Sequence, residues 1–260
     1  MSVDTGINDV RTFNLWRAVF AEFFGMILFL LCVTTVAIPW GNSDVNISSN
    51  NVEIGIGIGL AIASIATMIG HVSGGHLNPA VSVGCIVAGR IPVIQGLLYI
   101  VAQTVGAVVG TALTYACVPD NMLPPSNNAT TLGVTSLTPG LRPEQGFGLE
   151  LLFTLILVFH VLAITDPINR TEKYGTCLGI GVVILVCHVC LIPFTGCGIN
   201  PARSFGPAVV MDSWEHHWVY WIGPILGGVL APVLYKFLFY AEEKKHIEQA
   251  QNGENTIMIS

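Results

Sequence analysis

Two asparagines with matching neighbouring residues are the best candidates in this sequence for a functional role. Asn78 and Asn200 are each followed by a proline and an alanine, and glycines precede both. Asparagine is a strong helix N-cap and proline is tolerated in the first helical turn, so each stretch predicts a loop that runs into a helix. The side-chain amide of such an asparagine can donate a hydrogen bond to a passing oxygen atom. The pair therefore indicates hydrogen bonding to a small, neutral, polar molecule.

The helix predicted after each asparagine is too short to cross a membrane. The apolar runs cover 81–88 and 204–211, whereas a transmembrane helix needs about 20 residues. Half-length helices in matching positions of two halves indicate a substrate site. If their N-termini face each other, the positive ends of the two dipoles oppose cations and protons. The loops before them are expected to leave backbone carbonyls free to line a wet cavity, at Gly74, Gly75, His76, Gly196 and Gly198.

The composition is that of an integral membrane protein. Apolar residues make up 52% of the 260 residues and charged residues only 10%, and the mean hydropathy is +0.69. A soluble domain has about a quarter charged residues. The seven cysteines have no spacing typical of a disulfide framework or a zinc site. No catalytic motif is present, so we expect neither an enzyme, nor a cofactor, nor a metal, nor a nucleic-acid partner.

Six apolar spans predict an all-α membrane protein with six transmembrane helices and two half-helices. We predict an N-terminal lead over 1–15, a channel domain over 16–240 and a polar tail over 241–260. Within the domain, one repeat covers about 16–117 and the other about 146–240. Three spans per repeat mean that the second copy is inverted in the membrane. The spans cover 16–38, 52–69, 92–117, 146–165, 175–192 and 218–240.

Some polar residues and glycines inside the spans predict contacts between helices. Glu22 and Glu150 lie in the first span of each repeat, and an ionisable group at that depth requires a partner inside the protein. Several spans contain two glycines four residues apart, which permits close helix contact. His216 and His217, in contrast, are expected to lie at a solvated loop end.

The distribution of basic residues predicts the orientation in the membrane. One side of the six-span arrangement holds Arg11, Arg17, Arg90, Arg170, Lys173, Lys236, Lys244 and Lys245. Only Arg142 and Arg203 fall on the other side. Because cytoplasmic loops are enriched in basic residues, we expect both termini in the cytoplasm. Asn46 and Asn128 begin glycosylation sequons in loops that this orientation places outside.

The two asparagine loops resemble the signature loops of the aquaporin family, and the similarity extends over about 16–240. The resemblance implies a homotetramer in the plasma membrane, surrounded by lipid, with one water pore per subunit. It implies that Asn78 and Asn200 form the central constriction. It also implies an outer filter with Arg203, His188 and the carbonyl of Cys197, and that Glu22 and Glu150 anchor the loops by hydrogen bonds.

Two positions bear on the solute that passes. Glycerol-conducting aquaporins have an aspartate directly after the filter arginine, whereas this chain has Ser204, which favours water. Ile58 lies in the outer filter where water-selective relatives have phenylalanine, so passage of ammonia or another small neutral solute is an alternative. A secondary transporter and a mainly structural junction protein are further alternatives, since inverted repeats with broken helices also occur in transporters.

Overall fold

The fold is given by a computed structural model that describes residues 4–38, 47–119, 122, 132–166 and 173–239. Within these residues a short 3-10 helix, Asp9–Arg11, precedes eight α-helices. They are α1 (Phe13–Val36), α2 (Ile47–Ser73), α3 (Pro79–Val87), α4 (Val93–Cys117), α5 (Pro143–Ile164), α6 (Lys173–Thr195), α7 (Pro201–Met211) and α8 (Val219–Leu238). All except α3 and α7 are long and apolar enough to cross a membrane. The predicted all-α fold with six spans is therefore confirmed.

The helices form two repeats with the same internal packing. In the first repeat α1 packs against α2 and α4, and in the second repeat α5 packs against α6 and α8. The half-helix of each repeat packs against the last helix of the other, α3 against α8 and α7 against α4, while α2 packs against α6. This exchange inserts both half-helices into the centre of the bundle.

Glycines bring the packed helices close together. A Cβ atom on Gly106 of α4 would lie 2.5 Å from the carbonyl oxygen of Phe23 in α1. The equivalent atom on Gly227 of α8 would lie 2.4 Å from the carbonyl oxygen of Leu151 in α5. Because both distances are shorter than van der Waals contact allows, these positions admit no side chain. The close helix contacts predicted from the glycine pairs are confirmed at both interfaces.

Each half-helix begins at its predicted N-cap. The Asn78 side-chain oxygen accepts from the backbone N–H of Ala80 at 2.8 Å. The Asn200 side-chain oxygen accepts from the backbone N–H of Arg203 at 3.2 Å. With their oxygens held at the helix ends, both amide NH₂ groups point away from the helices.

The prediction of a solvated loop end is confirmed for His216, which is exposed, whereas His217 is partly buried. Its ring packs against Phe205 and Trp214, with ring centroids 6.1 and 5.1 Å apart. Its Nε2 atom lies 3.1 Å from Nε1 of Trp221, which donates the hydrogen bond. Burial lowers the pKa of His217, so the neutral, accepting ring is favoured. The aromatic neighbours come from α7, α8 and the segment between them, and the local sequence alone does not show this clustering.

Candidate functional site

The two half-helices meet end to end through their asparagines. The Nδ2 atom of Asn78 donates to the carbonyl oxygen of Ile199 at 2.9 Å, and that of Asn200 donates to the carbonyl oxygen of Leu77 at 2.8 Å. Both asparagines line a cavity of about 430 Å³. An amide nitrogen has two N–H groups, so each asparagine has a second donor for this cavity.

Glu22 holds the loop before α3. Its carboxylate is fully buried and accepts from the hydroxyl of Ser73 at 2.6 Å and the backbone N–H groups of His76 and Leu77 at 2.9 and 2.7 Å. Gln103 Nε2 donates a fourth hydrogen bond at 2.8 Å. Four donors from α2, α4 and the loop therefore converge on one carboxylate.

Glu150 holds the loop before α7 in the same way. It is also fully buried and accepts from the hydroxyl of Thr195 and the backbone N–H of Gly198 at 2.6 and 2.8 Å. Its second oxygen accepts from the backbone N–H of Ile199 at 2.6 Å. The partners that each glutamate requires at membrane depth are thus backbone N–H groups of the adjacent loop together with neighbouring side-chain donors.

The loop backbone turns its carbonyls away from these glutamates. In a trans peptide the N–H and C=O groups point in opposite directions, and the described chain has no cis peptide bond. The N–H groups of 76, 77, 198 and 199 face the glutamates, so the carbonyls of Gly75, His76, Cys197 and Gly198 point away from them. Leu77 and Ile199 have positive φ angles of 51° and 45°, a strained conformation that persists only where the surroundings enforce it.

One end of the cavity contains Arg203 and His188, and we call it the Arg203 end. Nδ1 of His188 lies 2.8 Å from the carbonyl oxygen of Ile184. Since a carbonyl only accepts, Nδ1 carries the proton and Nε2 is left as an acceptor. Nε2 of His188 and Nε of Arg203 are buried without a protein partner, and both residues line the cavity. This end therefore offers one acceptor and one cationic donor.

The opposite end, which we call the Arg90 end, is lined by His76, Cys85, Arg90 and Thr165. One guanidinium nitrogen of Arg90 donates to the Thr165 hydroxyl, and the other donates to the carbonyl oxygen of Leu162 at 2.9 Å. Arg90 thereby binds the C-terminal turn of α5, a favourable place for a cation. The walls between the two ends are mainly apolar.

The other predicted site residues lie close to this cavity but do not all line it. Gly74, Gly75, His76 and Gly198 are in its lining, whereas Gly196 is not. Ile58 and Cys197 are fully buried and are not in the lining either. Ile58 lies one helical turn before Ile62, which does line the cavity. Asn46 and Asn128 lie outside the described residues.

A segment of the connection between the predicted third and fourth spans, 92–117 and 146–165, reaches the site. Leu132, Val134 and Thr135 are buried, and the carbonyl oxygen of Gly133 accepts a hydrogen bond from Nη1 of Arg203. The sequence feature that could have indicated a buried segment is the short apolar stretch Leu132-Gly133-Val134 within a polar loop. Nothing in the local sequence indicates its partner, 70 residues away.

Comparisons with known proteins cover most of this chain. The family model described as "Major intrinsic protein" matches residues 9–235. The chain is 39% identical to aquaporin-4 of Notomys alexis over 96% of this chain and 75% of the relative. It is 42% identical to aquaporin-1 of Sus scrofa over 86% of this chain and 82% of the relative.

A solved structure shares the same fold. The aquaglyceroporin from Plasmodium falciparum superposes with a TM-score of 0.76 at 23% identity, covering 86% of this chain and 96% of that one.

Proposed function

The chain belongs to the major intrinsic protein family, and on that premise we propose that it is a passive water channel driven by osmotic gradients. Family membership makes it a multi-pass membrane channel for water or small solutes rather than an enzyme. The observation that carries the narrower proposal is the reciprocal pair of hydrogen bonds between Asn78 and Ile199 and between Asn200 and Leu77. This pair holds two amide donors in the cavity at the point where both half-helices begin.

The proposed mechanism follows from the direction of the donors and acceptors. A water molecule between Asn78 and Asn200 accepts from both amides, so its own hydrogens point away along the cavity. The carbonyls that face away from Glu22 and Glu150 accept those hydrogens. The central water molecule then has no acceptor site left for a neighbour's proton, and the positive ends of α3 and α7 repel cations there. Water passes while protons and ions are excluded.

The Arg203 end is proposed as the outer filter. Water is proposed to donate to Nε2 of His188 and to accept from Nε of Arg203, both of which are buried without a protein partner. A permeating cation is repelled by the fixed positive charge of Arg203, because the charge is buried and is therefore weakly screened. The carbonyl of Cys197, which faces away from Glu150, is the remaining proposed member of this filter, together with Ile58.

Osmotic shrinkage of liposomes that contain the purified protein tests the proposal. In stopped-flow mixing with sucrose, we expect water efflux much faster than from empty liposomes, without saturation and without dependence on the cation present. Flux that saturates or requires a cation would instead support a secondary transporter. Flux equal to that of empty liposomes would support a structural junction role.

Ile58 favours a second candidate function, the passage of ammonia or another small neutral solute. In a filter without an aromatic ring at this position, Ile58→Phe is expected to lower ammonia and urea permeability relative to water. The larger ring narrows the opening, and each rise of about 1 kcal/mol in the barrier to a solute corresponds to about a fivefold lower solute rate. The ratio of ammonia to water permeability in proteoliposomes measures this.

Ile56→Phe is the matched control for Ile58→Phe, since Ile56 is 43% exposed on the same helix. An ammonia-to-water ratio that is equal in Ile58→Phe and in this control would remove Ile58 from the filter.

The remaining features are proposed from the family resemblance and the charge distribution. We propose a homotetramer in the plasma membrane with both termini in the cytoplasm, so the Arg90 end faces inward. The channel domain over 16–240 is proposed to be flanked by a lead at 1–15 and a tail at 241–260. Exposed apolar side chains on the six spans are proposed to contact lipid or a neighbouring subunit. Glycosylation is proposed at Asn46 and Asn128.

A further inference from the structure

The side chain of His76 ends a chain of buried hydrogen bonds that begins at Glu22. Nε2 of Gln103 donates to the Glu22 carboxylate at 2.8 Å and also lies 3.1 Å from Oγ of Ser82. Oγ of Ser82 in turn lies 3.1 Å from Nδ1 of His76. Ser82 and Gln103 are fully buried, so bulk water does not supply partners for them. We call these four residues the relay.

The direction of each hydrogen bond in the relay follows from Glu22. A carboxylate only accepts, so the Gln103 amide presents its nitrogen to Glu22. The second hydrogen of that nitrogen is donated to Oγ of Ser82. Within the described residues, the remaining partner of the Ser82 hydroxyl is Nδ1 of His76, and a buried hydroxyl requires an acceptor for its hydrogen. Nδ1 therefore accepts from Ser82, which places the hydrogen of the neutral imidazole on Nε2.

Nε2 of His76 lies on the side of the ring that faces the cavity. A Cβ atom on Gly74 would be 3.3 Å from Nε2, and both residues line the cavity. The ring of Tyr99 packs edge-on against the imidazole, with ring centroids 5.3 Å apart and an angle of 85° between the planes. The hydroxyl of Tyr99 is itself held, because it donates to the carbonyl oxygen of Ser73 at 2.9 Å. These contacts fix the orientation in which His76 presents Nε2.

The second repeat has no equivalent of the relay. The two asparagines are 122 positions apart, and the same offset relates Ser82 to Ser204 and His76 to Gly198. Among the described residues, Oγ of Ser204 is buried without a protein partner. A Cβ atom on Gly198 would already lie 2.7 Å from the ring of Tyr220, so an imidazole has no room at this position. The two repeats therefore differ in a hydrogen-bond network and not only in a single side chain.

We propose that Ser82 and Gln103 are positioning residues that hold His76 as the neutral tautomer with its hydrogen on Nε2. His76 then donates a hydrogen bond into the cavity at the Arg90 end, whereas Nε2 of His188 is an acceptor at the Arg203 end. A water molecule beside His76 is bound through its oxygen, like the water molecule between the two asparagines. The role for water rests on the proposed function, but the tautomer of His76 does not.

NMR spectroscopy of proteoliposomes tests the tautomer directly, with histidine labelled isotopically at carbon and nitrogen. Nε2 is bonded to Cδ2 and Nδ1 to Cγ, so carbon–nitrogen correlations identify the nitrogen that carries the hydrogen. The signals that are lost in His76→Gln belong to His76. We expect the hydrogen on Nε2, together with a correlation between this hydrogen and water. A hydrogen on Nδ1 or on both nitrogens would overturn the tautomer, and a missing correlation with water would overturn the donation into the cavity.

Substitutions in the relay test its role in setting the tautomer. Ser82→Ala removes the donor to Nδ1, so the ratio of the Nε2–H form to the Nδ1–H form of His76 should fall at least about fivefold, the factor that corresponds to one net hydrogen bond. Ser82→Thr keeps a hydroxyl and should retain the original ratio. Gln103→Met should lower the ratio, because Oγ of Ser82 is then free to accept from Nδ1.

Ser204→Ala is the matched control, since it removes the equivalent hydroxyl of the second repeat and should leave the ratio unchanged. Unchanged signals of His188 show that each variant is folded. If Ser82→Ala and Ser204→Ala give the same ratio, the relay does not set the tautomer of His76.

The tautomer is measured without osmotic flux, so the relay and the proposed function can fail separately. A hydrogen on Nε2 combined with flux equal to that of empty liposomes would support the relay and contradict the water channel. Fast water flux combined with a hydrogen on Nδ1 would support the channel and overturn the relay.

Discussion

Glu22→Ala is expected to abolish water flux and to lower the stability of the folded channel more than any other single substitution considered. The change leaves four buried donors without an acceptor, from Ser73, His76, Leu77 and Gln103. Each unsatisfied buried group costs about 1–3 kcal/mol, so the free energy of unfolding should fall by at least about 4 kcal/mol. This is a large part of a total stability of about 5–15 kcal/mol. Thermal unfolding in detergent and flux in proteoliposomes measure the two effects.

Glu150→Ala should act in the same direction because it leaves three buried donors without an acceptor. The free energy of unfolding should fall by at least about 3 kcal/mol. Glu53→Ala is the control, because Glu53 is an exposed glutamate of α2. If Glu22→Ala unfolds at the same temperature as Glu53→Ala and conducts water equally well, the glutamates do not anchor the loops.

Arg203→Ala is expected to open the filter to urea and to cations while water still passes. The substitution removes the only charged side chain at the Arg203 end among the residues that line the cavity. At an effective dielectric constant of 20, a unit charge about 4 Å from a cation contributes about 4 kcal/mol. The upper limit of the rise in cation permeability is therefore about a thousandfold. Uptake of urea and of methylammonium into proteoliposomes measures both effects.

Arg203→Lys separates the charge of this side chain from its shape. Lysine keeps the positive charge but lacks the planar fork of donors, so it should still exclude methylammonium while it admits more urea. If Arg203→Ala excludes urea and methylammonium as well as the unsubstituted protein does, the filter lies elsewhere.

The parts of the fold determined by local chemistry could be predicted from the sequence. The N-caps at Asn78 and Asn200 follow from residue types within a few positions, and both are present. The span predicted over 16–38 is observed as Phe13–Val36. The sixth span, predicted over 218–240, is observed as Val219–Leu238. Helix α6 continues to Thr195 beyond its predicted end at 192 because Pro193 is accommodated in the last turn.

Contacts between distant segments could not be predicted in the same way. The two glutamates were identified as buried groups that need partners, but their individual partners depend on how the loops fold back. The contact of Gly133 with Arg203 depends on packing between elements. The offset of 122 positions between the two repeats relates Val81 to Arg203. The first repeat therefore has no arginine equivalent to Arg203, and the two ends of the cavity differ in chemistry.

The most direct test of the central claim is to record water and proton flux in the same proteoliposomes. Osmotic shrinkage reports water, and a pH-sensitive dye trapped inside reports protons under an imposed pH gradient. We predict water efflux far above that of empty liposomes with proton entry no faster than in empty liposomes. Water efflux no faster than in empty liposomes, or proton entry that rises together with water efflux, would contradict the account of the paired asparagine loops as a water-selective pore.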